Sequence, residues 1–290
     1  DWVWIKNRSD TRKHNLYDAV RGATKRIVSN DSAAEDTASN GLTAFGTDGF
    51  TTGSEQDTNH NGNNFASWNW KAGGTAPSQT YVVKVVSDSG NKYRFDDFGT
   101  SAVTLDLQEG GTYTFDQADS SNSGHPLRFY TAADKTGGEY TTGVTTNGTP
   151  GSSGAYTRIT VAASAPTLYY QCSNHANMGG QANTNSTFGS SNFSGSIQST
   201  VSVNSTAGFS IVKWTGTGSS GTIGHGLGAK PDILFVKRLD STNWSVYYDL
   251  VDGSNDYLKL NATDAKADSS NPVPTTSVFQ KTDTNGVGVI

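Results

Sequence analysis

The sequence predicts an all-β protein, and three observations carry that expectation. Apolar residues make up 33% of the chain and charged residues 16%, while 33 Gly and many Ser, Thr and Asn take the place of helix formers. Twelve Tyr, 12 Phe and six Trp supply a core that a disordered chain of this polarity would lack. Short runs of alternating apolar and polar residues recur, separated by turn-forming Gly-Gly, Asn-Ser-Gly and Gly-Thr-Pro-Gly. With 290 residues there is room for two or three domains.

Charge and motifs narrow the function classes. A net charge of −5 and no cluster of Lys or Arg give no basis for a nucleic-acid partner. No apolar run approaches the roughly 20 residues of a membrane span. Residue 1 opens a strand-like stretch rather than a signal peptide. The single cysteine allows no intrachain disulfide. The chain contains no G-x-S-x-G, H-E-x-x-H or P-loop, and its carboxylates are scattered, so no enzyme is expected. The acidic stretches 96–98 and 116–124 do not fit an EF-hand loop and read as solvated turns.

The first strands belong to a repeat. The 35 residues from Asp1 align without a gap on those from Asp232, an offset of 231. Asp1, Lys6, Thr11, Tyr17, Asp18, Val20, Gly22, Asn30 and Ala34 recur in the second copy. Trp2-Val3-Trp4-Ile5 faces Ile233-Leu234-Phe235-Val236, an apolar block that reads as a strand buried on both sides. The second copy has a lead-in, Phe209 to Trp214, that the first lacks. The first runs on through Phe65, Trp68 and Trp70, where the second has no counterpart. Each copy thus lacks one end, the pattern of a segment from a longer repetitive protein. His225, in a Gly-His-Gly turn with no ligand-type residue at close spacing, is expected to be a turn or packing residue.

The stretches "GHGLGAKPDILFVKR", "DWVWIKNRS", "LYDAVRGATKRIVSN", "DGFTTGS" and "WNWKAGG" resemble a β-sandwich repeat of structural proteins from marine bacteriophages. The resemblance covers residues 1–74 and 201–290. It implies jelly-roll-like sandwiches in a virion protein, with a role in assembly and contact with host cell-surface glycans. It also implies other virion proteins, or further copies of the chain, as partners.

Residues 80–180 have a different texture. Strands are predicted at 80–86, 92–98, 102–117, 125–131, 156–163 and 167–172, enough for one small sandwich. Residues 72–79 and the Ser/Asn/Gly-rich linker 181–200 bound it. At the end of its last strand, "CSNHANM" places Cys172, His175 and Met178 as C-x2-H-x2-M, and His125 opens an earlier strand. Two imidazoles, a thiolate and a weak axial thioether are the ligand set of blue-copper electron-transfer sites. Thiolate and thioether suit Cu(I), and imidazole suits both oxidation states. A zinc or Cu(I) staple is the other reading of the same set.

Gly-bearing turn, apolar strand, polar loop and histidine in "LQEGGTYTFDQADSSNSGHPLRF" resemble the cupredoxin pattern. That resemblance implies a Greek-key sandwich of the plastocyanin or amicyanin type holding copper. Its ligands would be His125, Cys172, His175 and axial Met178. The chain departs from plastocyanins in following His125 with Pro126-Leu127-Arg128, which puts a charged residue near the site. The expected architecture is two β-sandwich repeats flanking an inserted cupredoxin-like module. The expected role is structural or adhesive, at a particle surface. A blue-copper carrier or a bacterial surface fibre protein is the alternative.

Overall fold

The computed structural model describes residues 1–73, 77–184, 188–248, 256–268, 274–281 and 287–289. The protein is all-β: the α-helix among the described residues is one turn, Gln56–Asn59. No helix among them is long and apolar enough to cross a membrane. The chain divides into two compact units, one formed by 1–74 with 197–290 and the other by 75–196.

The first segment of unit 1 holds β1 (Trp2–Asn7), β2 (His14–Asp18), β3 (Lys25–Val28), β4 (Asp36–Thr37), β5 (Leu42–Phe45), β6 (Phe50–Thr52) and β7 (Phe65–Trp70). Unit 2 holds β8 (Ser78–Ser87), β9 (Asn91–Phe95), β10 (Leu105–Asp106), β11 (Thr112–Asp116) and β12 (Leu127–Tyr130). It continues with β13 (Val144–Asn147), β14 (Tyr156–Thr160), β15 (Leu168–Cys172), β16 (Gln181–Asn183) and β17 (Ser190–Asn192). Unit 1 resumes with β18 (Ser199–Asn204), β19 (Phe209–Thr215), β20 (Gly221–Gly224), β21 (Ile233–Arg238) and β22 (Ser245–Tyr248). It ends with β23 (Asp256–Lys259), β24 (Ala267–Asp268), β25 (Val278–Lys281) and β26 (Val287–Val289).

Both copies of the repeat form an antiparallel meander. Strands β1 to β4 run in the sheet order β4-β3-β2-β1-β7, and β21 to β24 in the order β26-β21-β22-β23-β24. β21, β22, β23 and β24 start at the positions that β1, β2, β3 and β4 reach at the 231-residue offset. The pairing register of β22 departs from the gapless alignment by one residue. Val3 lies opposite Tyr17, whereas Leu234 lies opposite Tyr247. Tyr247 is therefore the counterpart of Tyr17, and the expected match with Tyr248 is off by one residue. Burial is the reason: Tyr17 and Tyr247 are 0% and 1% exposed, and a one-residue slip would turn a half-exposed Tyr248 inward instead. The matched residues Asp249, Val251 and Gly253 lie outside the described residues.

Several identities acquire a purpose from this register. The Asn30 side chain accepts from His14 N–H at 2.9 Å, and Asn261 accepts from Trp244 N–H at 2.8 Å. Lys6 Nζ donates to Asp10 O and Arg12 O at 3.2 and 2.9 Å. Lys237 Nζ donates to Asp240 O and Thr242 O at 2.9 and 2.7 Å. In each copy a strand lysine closes the turn that follows it, and an asparagine caps the next strand.

The two segments, read from the sequence as separate repeats, pack in one unit. Trp2, Leu16, Val20 and Ile27 share a cluster with Ile211 and Trp244. Trp244 Nε1–H donates to Val28 O at 2.7 Å, and Glu35 N–H to Leu239 O at 2.9 Å. A sheet with an apolar face needs a covering layer, and here each segment supplies part of the other's. His225 is a buried turn residue, as expected. Its Nδ1 accepts from Leu227 N–H, and its Nε2–H donates to Thr275 O, both at 3.1 Å.

Unit 2 is a sandwich of two sheets, β10-β16-β15-β12 and β13-β14-β11-β8-β9. Strands β8 and β11 pair in parallel, as do β10 and β16, so the chain crosses between layers. One cluster fills the interior, with Tyr81, Tyr93, Phe95, Tyr113, Phe115, Phe129 and Tyr170 all 0% exposed. Buried phenols need partners: Tyr81 donates to Ser191 O at 2.9 Å and Tyr170 to Val103 O at 2.6 Å. The stretch 181–200, read as a linker, is instead folded where described. It carries β16, β17 and Phe193, which is stacked on Phe95 at 5.8 Å. β13 escaped the sequence reading because Val-Thr-Thr-Asn is an exposed edge strand with no apolar alternation.

Candidate metal centre

The sandwich places three of the predicted ligands together. β12 and β15 are antiparallel neighbours with Leu127 opposite Cys172, so His125, just before β12, meets the end of β15. Cys172 Sγ lies 3.9 Å from His125 Nδ1 and 3.5 Å from His175 Nδ1. The ring centroids of His125 and His175 are 4.7 Å apart. One candidate donor atom from each of the three lies within 4.8 Å of the others. Cys172 is fully buried, His125 half-buried and His175 exposed, so the cluster opens to solvent on the His175 side. Met178 is 1% exposed and belongs to the same core cluster as Cys172. The group could hold a metal ion, and its donors are two borderline imidazoles and one soft thiol.

Polar side chains hold this arrangement from several sides. The carbonyl of His125 accepts from Tyr93 Oη–H and Gln117 Nε2–H, both at 2.9 Å. Gln117 Oε1 in turn accepts from Leu127 N–H at 3.1 Å, so one buried glutamine spans the histidine. Gln171 Oε1 accepts from Met178 N–H and Gly179 N–H, both at 3.1 Å, and closes the far end of the ligand loop. Ser173 N–H donates to Pro126 O at 3.0 Å, and Asn174 Nδ2–H to Gly124 O at 2.9 Å. Lys135 Nζ reaches the carbonyls of Cys172, Ser173 and His175. Glycine is required at 179, where a Cβ would stand 1.6 Å from Tyr170 O.

Electrostatics suit a ligand role. Burial, and then the neighbouring His175, push the His125 imidazole below its ordinary value, which favours the neutral form that binds metal. Burial, and then Cys172, push the Tyr93 phenol far up, so it stays protonated and keeps its bond to His125 O. Arg128 does not intrude on the ligands. It lies opposite Gln171, one step out of phase with Cys172. Its guanidinium donates to Leu127 O at 2.8 Å and Thr157 Oγ1 at 3.3 Å, and stands 3.6 Å from Glu139. The acidic stretches read as solvated turns accept from backbone N–H groups: Asp96 from Val82 of β8, and Asp119 from Ser121 within its own turn.

Sequence reasoning found His125, Cys172, His175 and Met178 through residue type and spacing. It missed Lys135, Gln117 and Tyr93, whose carbonyl partners lie 8 to 40 residues away. Gln171 sits beside Cys172 in sequence, but an interior glutamine in a strand carries no ligand signal.

The fold and cluster together define an all-β protein whose sandwich unit bears a His2Cys group. A family model described as Domain of unknown function (DUF7483) matches residues 1–93 and 170–288, and the chain belongs to that family. The match includes Cys172, His175 and Met178 but leaves out 94–169, where His125 lies. No curated protein and no solved structure matches the chain.

Proposed function

We propose that this chain is a structural and adhesive protein of a phage particle whose unit 2 carries a mononuclear copper site. The observation that carries the metal reading is the convergence of His125, Cys172 and His175 donor atoms within 4.8 Å. Two imidazoles and a thiolate, with Met178 as the weak axial donor, match copper of the blue type better than zinc. Structural zinc prefers four strong N or S donors. Bound copper would supply one-electron chemistry. The chain's own residues hold the three donors, exclude water from the Cys172 side and leave His175 as the exposed edge.

The structural role draws support from the phage-type repeat and from the shared core of the two segments. Trp68 and Trp70, 49% and 41% exposed on β7, offer aromatic surface for weak contacts with cell-surface glycans, multiplied by further copies of the chain. On this reading the protein sits at the particle surface among other virion proteins. It needs no nucleic-acid or membrane partner and catalyses no reaction. A second reading, a blue-copper electron carrier, is favoured by the exposed His175.

Adding Cu(II) to the purified chain should give the intense blue thiolate-to-copper absorption, and Cys172→Ser should abolish it. Binding without colour would replace copper redox chemistry with a zinc-like staple. Mass spectrometry of purified particles should find the chain in them. A free monomer that exchanges electrons with a partner protein would favour the carrier.

A further inference from the structure

Lys135 lies in the turn after β12, between Ala132 and Gly138, far in sequence from the ligand loop. Its ammonium lies 3.1 Å from Cys172 O, 3.2 Å from Ser173 O and 3.4 Å from His175 O. An ammonium has three N–H donors and no acceptor, so these three carbonyls account for its whole hydrogen-bonding capacity. The Tyr130 ring lies beneath it at 6.0 Å. Two of the three carbonyls belong to ligand residues and the third lies between them. A second ammonium, Lys92 Nζ, bonds Asn177 O at the far end of the loop, while Gln171, Asn174 and Tyr93, which also tie the site, are neutral; among the described residues Lys135 is the cation bonded to the carbonyl of Cys172 itself.

We propose that Lys135 is a positioning residue for the metal loop and biases the site toward Cu(I). This inference rests on the copper reading of the same cluster. The geometric part follows from the three bonds: they draw the backbone of 172–175 into one curve before any metal arrives. The electrostatic part follows from charge. A cation fixed 3.1 Å from the carbonyl of the thiolate ligand disfavours the more positive Cu(II) state relative to Cu(I), and in a partly buried position water screens it less than on the open surface. The loop keeps its other ties, through Gln171, Asn174 and Ser173 N–H, so removing Lys135 leaves the sandwich folded.

The test compares Lys135→Met and Lys135→Arg with the unaltered chain. Cu(I) and Cu(II) affinities are measured by competition with chelators, and amide exchange of 173–178 is followed in the metal-free protein. Lys135→Met should keep one copper per chain but lower Cu(I) affinity relative to Cu(II) by about tenfold, the scale of outer-shell changes at metal sites. Exchange in the loop should quicken. Lys135→Arg should restore the affinity ratio, because it restores the charge. An unchanged ratio in Lys135→Met overturns the bias, and unchanged exchange overturns the positioning role. If the unaltered chain takes up no copper, the copper reading fails and the bias with it, while exchange still decides the positioning role.

Discussion

Lys6, Lys237 and Lys135 each gather two or three carbonyls of a turn or loop with one ammonium, and they differ in where the lysine comes from. Lys6 and Lys237 sit in β1 and β21 and bind carbonyls three to six residues ahead. Lys135 binds carbonyls 37 to 40 residues away. The local pair repeats with the strands and is part of their architecture. The remote one serves a loop that carries metal-type ligands, and nothing near it in sequence marks it. Within the local pair there is a further contrast. Lys6 is half-exposed and bonds only its own turn, while Lys237 is fully buried and also donates to Ser32 O in the other segment at 3.4 Å. Burial pushes the Lys237 ammonium down to about 8, and the nearby Asp240 carboxylate offsets part of that desolvation.

The largest effect expected in unit 1 tests the register of the second copy. Tyr247→Ala removes a fully buried aromatic from the cluster of β21 and β22 and should cost about 3–5 kcal/mol in denaturant unfolding. Tyr248→Ala should cost below about 1 kcal/mol. Equal losses would mean that β22 pairs one residue away, as the gapless alignment had it. A smaller effect separates the two strand lysines. Lys237→Met strands three carbonyls and should lower stability by about 2–3 kcal/mol, against about 1 kcal/mol or less for Lys6→Met. If the two cost the same, burial does not distinguish the copies. The smallest effect extends the comparison to the strand caps. Asn30→Ala and Asn261→Ala should each cost about 1 kcal/mol, since each removes one bond to a backbone N–H. Loss in only one of them would show that the caps are not equivalent.

What the sequence determined by itself was local and compositional. Alternation and turn residues specified an all-β chain, because strand periodicity and glycine conformations are properties of neighbours along the backbone. The repeat placed β1 to β4 on β21 to β24, since matched apolar blocks and turn-closing residues recur at fixed spacing. C-x2-H-x2-M named three of the candidate ligands, and His125, the one upstream histidine within 80–180, was the fourth.

Tertiary structure decided the rest. The one-residue shift of β22 came from which tyrosine the core accepts, a packing choice that identity at Tyr17 and Tyr248 concealed. The joining of 1–74 and 197–290 in one unit came from faces that each segment leaves uncovered, such as the Trp244 contact with Val28. The folding of 188–196 came from partners more than 80 residues away, among them Asp106 and Tyr81. The distances among His125, Cys172 and His175, and the hold of Lys135 and Gln117 on the backbone around them, arise only when β12 pairs with β15. Hydrogen bonds and metal donors act over about 3–4 Å, and contacts at that range between residues far apart in sequence exist only once the chain has folded.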